Sequence, residues 1–183
     1  MLKQGHLGLG LAVYVPFGAL LLFLGSLELF LLGLGCCVFG ALVPDIDTDT
    51  PIFKHRGWTH TVWFVALLSI TGAIGIFMFT AYLVTPKLAA IGIAIELTWI
   101  GATFGGLMLA AGMLSHLFGD MITTRGIRPF DPLTPRGILP VSVSDRKYAF
   151  DLTKASNTTA NAGFLLLGFG GIAGILFAIP PTF

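Results

Sequence analysis

The sequence predicts an all-α protein, a polytopic membrane helical bundle of about five transmembrane helices. Hydrophobic residues make up 55% of its 183 residues and charged residues only 10%, whereas soluble domains carry about 25% charged residues. Five apolar runs come near or exceed the roughly 20 residues that a helix needs to cross a bilayer. We therefore expect a single integral membrane domain over residues 1–183, with spans at about 7–25, 27–43, 59–84, 88–121 and 162–179.

The boundaries of these spans follow from their length and flanking residues. A very short connection separates the first two spans, which predicts a helical hairpin. The first run follows Lys3 and could be taken for a signal peptide, but further runs of spanning length follow it, so we expect the protein to keep it. The fourth run exceeds one span and predicts a tilt, a kink near Gly105 or an extension beyond the bilayer. Its first half contains Glu96, either a functional buried acid or a surface residue beside Lys87.

Small residues in the spans carry little chemistry of their own. Glycine pairs with the small-xxx-small spacing occur at 101/105 and 170/174, and this spacing lets helices approach closely. Cys36 and Cys37 are adjacent, lie in an apolar run and lack the spacing of a zinc site. We interpret the cysteines as small hydrophobic residues, with metal binding as the second interpretation.

The basic residues predict the orientation of the bundle. Five spans place the two termini on opposite sides of the membrane, and nine of the ten basic residues fall on the side of the amino terminus: Lys3, Lys54, Arg56, Arg125, Arg128, Arg136, Arg146, Lys147 and Lys154. Positively charged loops stay in the cytoplasm. We therefore expect an inner-membrane protein with a cytoplasmic amino terminus and an outer carboxyl terminus. The net charge of +1 gives no indication of a nucleic-acid partner, and membrane lipids are the expected surroundings.

Residue types that bind metals gather on the same predicted side. They are all four histidines and four of the aspartates, namely His6, His55, His60, His116, Asp45, Asp47, Asp49 and Asp120. His116 and Asp120 are four residues apart and share a helix face. Asp45 and Asp47 are two apart, so in an extended segment both carboxylates point the same way. The sequence thus predicts a metal site at the cytoplasmic helix ends.

Imidazole nitrogen and carboxylate oxygen suit zinc first, with manganese or iron as alternatives. The cluster offers enough ligands for one ion or for two, although a structural polar cluster has a similar pattern. His55 is a candidate in place of His60, and ranks below it because it lies in the loop. Thr123 is either a helix-end hydrogen-bonding residue or part of the site. Arg56 lies between two candidate ligands, which favours contact with an anion such as phosphate.

The motifs together resemble a known family. In order along the chain, "GH", "PDID", "HRGWTH" and "HLFGDMITTRG" resemble the YdjM-like proteins, which are described as LexA-regulated, inner-membrane-associated metal-dependent hydrolases. The resemblance extends from His6 to about Pro140. It implies five metal ligands with Asp47 and Arg56 close by, and the ligands are His6, Asp45, His60, His116 and Asp120. Thr61 stands where the family pattern has serine, which keeps the hydroxyl group.

These observations lead to the hypothesis of a membrane-embedded metal-dependent hydrolase. One or two divalent ions would activate a water molecule. Asp47 would act as general base or as ligand of a second ion, and Arg56 would neutralise charge on a phosphoryl group. A site at the level of the lipid headgroups predicts a lipid-type or phosphoester substrate.

Two other functions stay open from the sequence. Intramembrane acids and glycine-broken helices also occur in transporters of divalent ions or small solutes. A non-catalytic scaffold could use a metal only to join its helices. The polar groups cluster at one surface and not at the midplane, and no inverted repeat is visible, which favours the hydrolase over the transporter.

Overall fold

The prediction of an all-α membrane bundle is confirmed by the computed structural model. The structure describes residues 1–48, 57–91, 99–131, 148–150 and 152–178, without the side chains of residues 47, 48, 88 and 89. Across these ranges, five helices are long and apolar enough to cross a membrane. They are labelled α1 (Lys3–Phe23), α2 (Leu27–Leu42), α3 (Val62–Phe79), α4 (Trp99–Ile122) and α5 (Thr158–Ala178).

The first two helices form the hairpin that the sequence predicts. Gly25 adopts a left-handed backbone conformation with φ of 72°, which costs glycine little because it has no Cβ. The backbone N–H of Ser26 donates to the carbonyl of Leu21 at 2.9 Å, and that of Gly25 donates to the carbonyl of Leu22 at 3.0 Å. This paired arrangement ends α1 and turns the chain into α2.

Two short 3₁₀ helices, Val43–Thr48 and Trp58–His60, follow α2 and precede α3. Thr61 caps α3, because its hydroxyl oxygen accepts the N–H of Phe64 at 3.2 Å. The hydroxyl also donates to the carbonyl of Trp58 at 2.8 Å. The hydroxyl that the motif retains therefore fixes the junction between His60 and the third span.

The third span, Val62–Lys87, begins and ends three residues later than the sequence indicates, and the fourth helix also begins later. After α3 the chain continues through a π-helical turn, Thr80–Val84, into a further α-helical turn, Thr85–Ala89. Residue 88, the expected start of the fourth span, thus lies in the extension of the third, and α4 begins at Trp99. Hydropathy could not locate this boundary, because apolar residues continue on both sides of it. Glu96 lies outside the described residues.

The α4 helix occupies the centre of the bundle. Of its most apolar 18-residue window 61% is buried, against 6% for the third span and 17% for α5. It packs against α1, α2 and α3, while α5 packs on the far side of α1. Gly40 and Gly112 lie where α2 and α4 meet, and a Cβ added at Gly112 would lie 2.9 Å from the backbone nitrogen of Ala41. These two helices therefore approach almost backbone to backbone.

Other small residues have mixed roles in this packing. Gly105 contacts α3, since an added Cβ would lie 2.7 Å from Ile76, whereas Gly170 and Gly174 face open space. Cys36 and Cys37 carry free thiols, and Cys37 is buried with its thiol 3.3 Å from the carbonyl of Gly10. The cysteines thus act as packing residues, as interpreted from the sequence.

Candidate metal centre

Three imidazoles and two carboxylates meet at one end of the bundle. They come from four separate segments: the first turns of α1, the 3₁₀ helix after α2, the 3₁₀ helix before α3 and the last turns of α4. The three histidines are fully buried, and the aspartates are 1% and 7% exposed; the five residues are His6, Asp45, His60, His116 and Asp120. The structure thus brings together all five side chains that the motifs single out as ligands.

Four of these side chains form a compact set of ligand atoms. The Nε2 atoms of His60 and His116 are 3.3 Å apart. Oδ2 of Asp120 is 3.4 Å from Nε2 of His60 and 4.0 Å from Nε2 of His116. Oδ1 of Asp45 is 3.6 Å from Nε2 of His116 and 3.9 Å from Nε2 of His60. Ligands about 2.0–2.1 Å from a tetrahedral zinc ion stand about 3.3–3.4 Å apart, so the set is close to the size that a divalent ion requires.

Hydrogen bonds on the outer side of the cluster orient two of the imidazoles. Nδ1 of His116 is 2.7 Å from the carbonyl oxygen of Ala41. A carbonyl can only accept, so Nδ1 carries the proton and the neutral ring directs the Nε2 lone pair into the cluster. Nδ1 of His60 is 3.0 Å from the hydroxyl oxygen of Thr59. Such outer partners are typical of metal-binding histidines.

His6 is held differently from the other two histidines. Its ring stacks on the ring of His116 with centroids 3.6 Å apart and planes within 9° of parallel. Its Nε2 lies 3.4 Å from Oδ1 of Asp120, an oxygen that also accepts from the amino group of Met1 at 2.5 Å. Neither ring nitrogen of His6 makes a hydrogen bond within the described part of the chain. A buried imidazole without hydrogen bonds is costly, and a bound cation would remove that cost.

The helix contacts explain why these side chains meet. The close approach at Gly40 and Gly112 brings Ala41 beside His116, one turn after Gly112 on α4. Gly119 of α4 likewise allows α1 to approach closely, since a Cβ at this position would lie 3.1 Å from Nδ1 of His6. The donor set, its burial and its dimensions therefore fit a divalent metal ion.

The structure contradicts the reason for which two of the carboxylates were paired, and some of the candidate residues lie outside the described ranges. Asp45 and Asp47 lie in the 3₁₀ helix Val43–Thr48, not in an extended segment. With three residues per turn, positions two apart do not share a face, so that reason for pairing the two carboxylates was wrong. Asp47 is described only in its backbone, and Arg56 and His55 lie outside the described residues.

Thr123 is a helix-end hydrogen-bonding residue, which is one of its two predicted roles. Its hydroxyl donates to the carbonyl of Asp120 at 2.8 Å and its side chain is fully buried. It therefore closes the end of α4 and holds Asp120 in place through the backbone.

Two residues that support the site were not identified from the sequence. Thr59 directly precedes the candidate ligand His60, and this position is the feature that could have identified it. Asn161 is 1% exposed. Its amide oxygen accepts the N–H of Leu2 at 3.0 Å, and its amide nitrogen donates to the carbonyls of Ala155 and Asn157 at 3.1 and 2.7 Å. Asn161 therefore connects the start of α5 to the start of α1, beside His6. A single amide side chain at the edge of an apolar run is the sequence feature that could have identified it.

Comparisons with known proteins agree with the motifs. A relative from Bacillus subtilis (strain 168), described as "Uncharacterized protein YvsG", is 26% identical over 147 residues, which cover 72% of this chain and 77% of the relative. No solved structure matches the chain. The family described as "YdjM inner membrane protein" matches residues 1–179, which confirms the resemblance read from the four motifs. The chain therefore belongs to the YdjM family of inner membrane proteins.

Proposed function

We propose that the chain is a membrane-embedded, metal-dependent hydrolase that cleaves a phosphoester in a lipid-type substrate at the cytoplasmic surface. The observation that supports it best is the meeting of three imidazoles and two carboxylates, with His60 and His116 nitrogens 3.3 Å apart, at the end of an otherwise apolar bundle. Ionisable groups at membrane depth are costly and are kept for function.

The ligands in this proposal are the five clustered side chains: His6, Asp45, His60, His116 and Asp120. A divalent ion held there would supply an activated water and polarise a phosphoryl oxygen. Ala41 and Thr59 contact Nδ1 of the two imidazoles, which leaves Nε2 of each ring available to hold the ion. Zinc suits the nitrogen and oxygen donors, and manganese or iron are the alternatives.

Asp47 and Arg56 complete the proposal from their positions in the sequence. Asp47 follows the ligand Asp45 by two residues and would take a proton from the attacking water. Arg56 precedes the ligand His60 by four residues and would neutralise charge that develops on the phosphoryl group. Both roles are open to test by substitution.

The substrate class follows from depth and charge. Asp45 falls within the apolar stretch Leu27–Ile46 that is long enough to span a membrane, next to Ile46, which is 52% exposed. Asp45 is also the most exposed of the five ligands, so a substrate would reach the ion on its side. Nine basic residues belong to the same predicted side and would attract a phosphate group.

The test uses purified full-length protein in nanodiscs with zinc or manganese. Release of phosphate or of a phosphorylated headgroup would be measured on a panel of phospholipids and lipid phosphates. We expect metal-dependent turnover that a His116→Ala, Asp120→Ala double variant loses. A Met113→Ala variant, which alters a buried apolar residue of the same helix, should keep it. Equal rates in the double variant and the wild type would overturn the catalytic role.

Complete burial of the histidines supports a second candidate, a structural ion that joins four helix ends. Structural zinc sites are closed, whereas catalytic sites keep an open position, and the three imidazoles here are 0% exposed. In that case a chelator would lower the melting temperature and no lipid phosphoester would be cleaved. Turnover in the same nanodiscs decides between the two candidates.

A further inference from the structure

We propose that the cluster binds two divalent cations, bridged by the carboxylate of Asp120, and not a single ion. The inference deepens the proposed function and rests on it, because both require the cluster to bind metal. It adds the number of ions and the division of ligands between them. It is carried by the ring planes of the histidines, the two oxygens of Asp120 and the nitrogens of His6, which make no hydrogen bond to the described residues.

The stacked rings of His6 and His116 cannot share one ion. An imidazole binds a metal through a lone pair that lies in the plane of its ring. These two planes are within 9° of parallel and the centroids are 3.6 Å apart. An ion midway between them would lie up to about 1.8 Å, half of the centroid separation, outside each plane, although the metal–nitrogen bond itself is only about 2.0–2.1 Å long. Each ring therefore directs its lone pair to a position of its own.

The carboxylate of Asp120 faces both positions. Its Oδ2 lies 3.4 Å from Nε2 of His60, and its Oδ1 lies 3.4 Å from Nε2 of His6. A carboxylate that presents one oxygen to each of two positions is arranged as a bridging ligand. The metals of two-metal hydrolytic sites are about 3.5–4 Å apart, which matches the spacing of the stacked rings.

The first position has the fuller set of ligands: Nε2 of His60, Nε2 of His116, Oδ1 of Asp45 and Oδ2 of Asp120. The second position has Nε2 of His6 and Oδ1 of Asp120. A ligand atom of Asp45 also lies within 4.8 Å of those of His6 and His116. The amino group of Met1 already contacts Oδ1 of Asp120, and the second ion would replace it as the positive partner of that oxygen.

The burial of His6 gives independent support. Its ring is 0% exposed, and neither nitrogen makes a hydrogen bond to another described residue. Stacking alone would be served by a phenylalanine, which has no polar atoms to desolvate. A second cation explains why a nitrogen heterocycle occupies this place. It also fits a phosphoester substrate, since paired ions stabilise both the attacking and the leaving oxygen.

The experiment measures the number of bound Mn²⁺ ions and their magnetic coupling in full-length protein in detergent. Equilibrium dialysis followed by elemental analysis gives ions per chain, and electron paramagnetic resonance distinguishes an exchange-coupled pair from an isolated ion. We expect two coupled ions in the wild type, one isolated ion in His6→Asn and in His6→Phe, and none in Asp120→Ala. The Phe variant keeps the stacked ring without its nitrogens. Asp131→Ala, which removes a carboxylate paired with Arg128, should retain two.

The outcomes separate this inference from the proposed function. One isolated ion in the wild type would overturn the two-ion centre and leave the hydrolase intact, and the same affinity in both His6 variants would show that His6 is not a ligand of that ion. No bound ion in the wild type would overturn both. The wild-type spectrum and count decide the question even if a His6 variant fails to fold.

Discussion

The two halves of α4 differ in what they bury against the same neighbours. Toward its first half, Met108 and Leu109 pack in apolar clusters with residues of α1, α2 and α3. Toward its end, His116 and Asp120 are equally buried but are surrounded by nitrogen and oxygen atoms at 2.5–4.0 Å. We infer that packing in the apolar half sets the spacing between the helices, and that the ligands in the polar half depend on this spacing. Metal ligation tolerates far less variation in the distances between side-chain atoms than hydrocarbon packing does.

Removal of a metal ligand from the polar half should have the largest effect, and this effect should be on metal affinity. We expect His116→Ala to weaken the binding of zinc or manganese by more than about 100-fold, since even outer-sphere partners are worth about 10–100-fold. Isothermal titration of chelator-treated protein measures this. Met113→Ala, which alters a buried apolar residue one turn before His116, should lower the melting temperature and leave the affinity within about twofold. Similar affinity losses in both variants would contradict the distinction between metal ligands and apolar packing residues.

A methyl group at the boundary should disturb both halves. Gly112→Ala places a Cβ 2.9 Å from the backbone nitrogen of Ala41, so α2 and α4 must separate and the hydrogen bond from His116 to Ala41 lengthens. We expect a loss of about 1–3 kcal/mol in the free energy of unfolding together with weaker ion binding. Gly75→Ala is the control, because nothing lies within 4 Å of an added Cβ there. Unchanged ion affinity in Gly112→Ala would show that the site does not depend on this contact.

Loss of an outer hydrogen bond should affect the polar half alone. Thr59→Val removes the hydroxyl that lies 3.0 Å from Nδ1 of His60 and keeps the side-chain shape. We expect about a 10-fold loss in metal affinity, with recovery in Thr59→Ser. Calorimetric titration measures both variants. If the Thr59→Val variant binds the ion as tightly as the wild type does, the hydroxyl of Thr59 has no part in orienting His60.

The smallest effect is expected for a polar group of α1 that packs against the apolar half of α4. Tyr14 is fully buried and its hydroxyl donates to the carbonyl of Phe30 at 2.5 Å. Tyr14→Phe should lower the free energy of unfolding by about 1 kcal/mol without any change in metal affinity. Thermal unfolding in detergent, in the presence and absence of zinc, tests this. A change in ion affinity here would mean that the two halves are coupled beyond helix spacing.

Local pattern was sufficient to predict five spans, apart from the boundary between the third and the fourth, and the resemblance to the family selected the five clustered side chains from the wider set of candidates. Hydropathy identifies a span because apolar length is a property of one segment, and His116 and Asp120 share a face by helix geometry alone. The contact of Gly112 with α2 was not predictable, because glycine is frequent throughout the chain and only the packed structure selects one. The role of Asn161 was missed for a similar reason, since its partners include Leu2, at the other end of the chain.

The link between Asn161 and Leu2 has a consequence for biogenesis. Chains are made and begin to fold from the amino terminus, so α1 to α4 leave the ribosome before α5 does. Until α5 arrives, the backbone N–H of Leu2 lacks this acceptor, and the face of α1 at Gly8, which later packs against Phe164, has no helix beside it. The contacts that hold the start of α1, where His6 lies, are therefore completed only by the last helix to be synthesised.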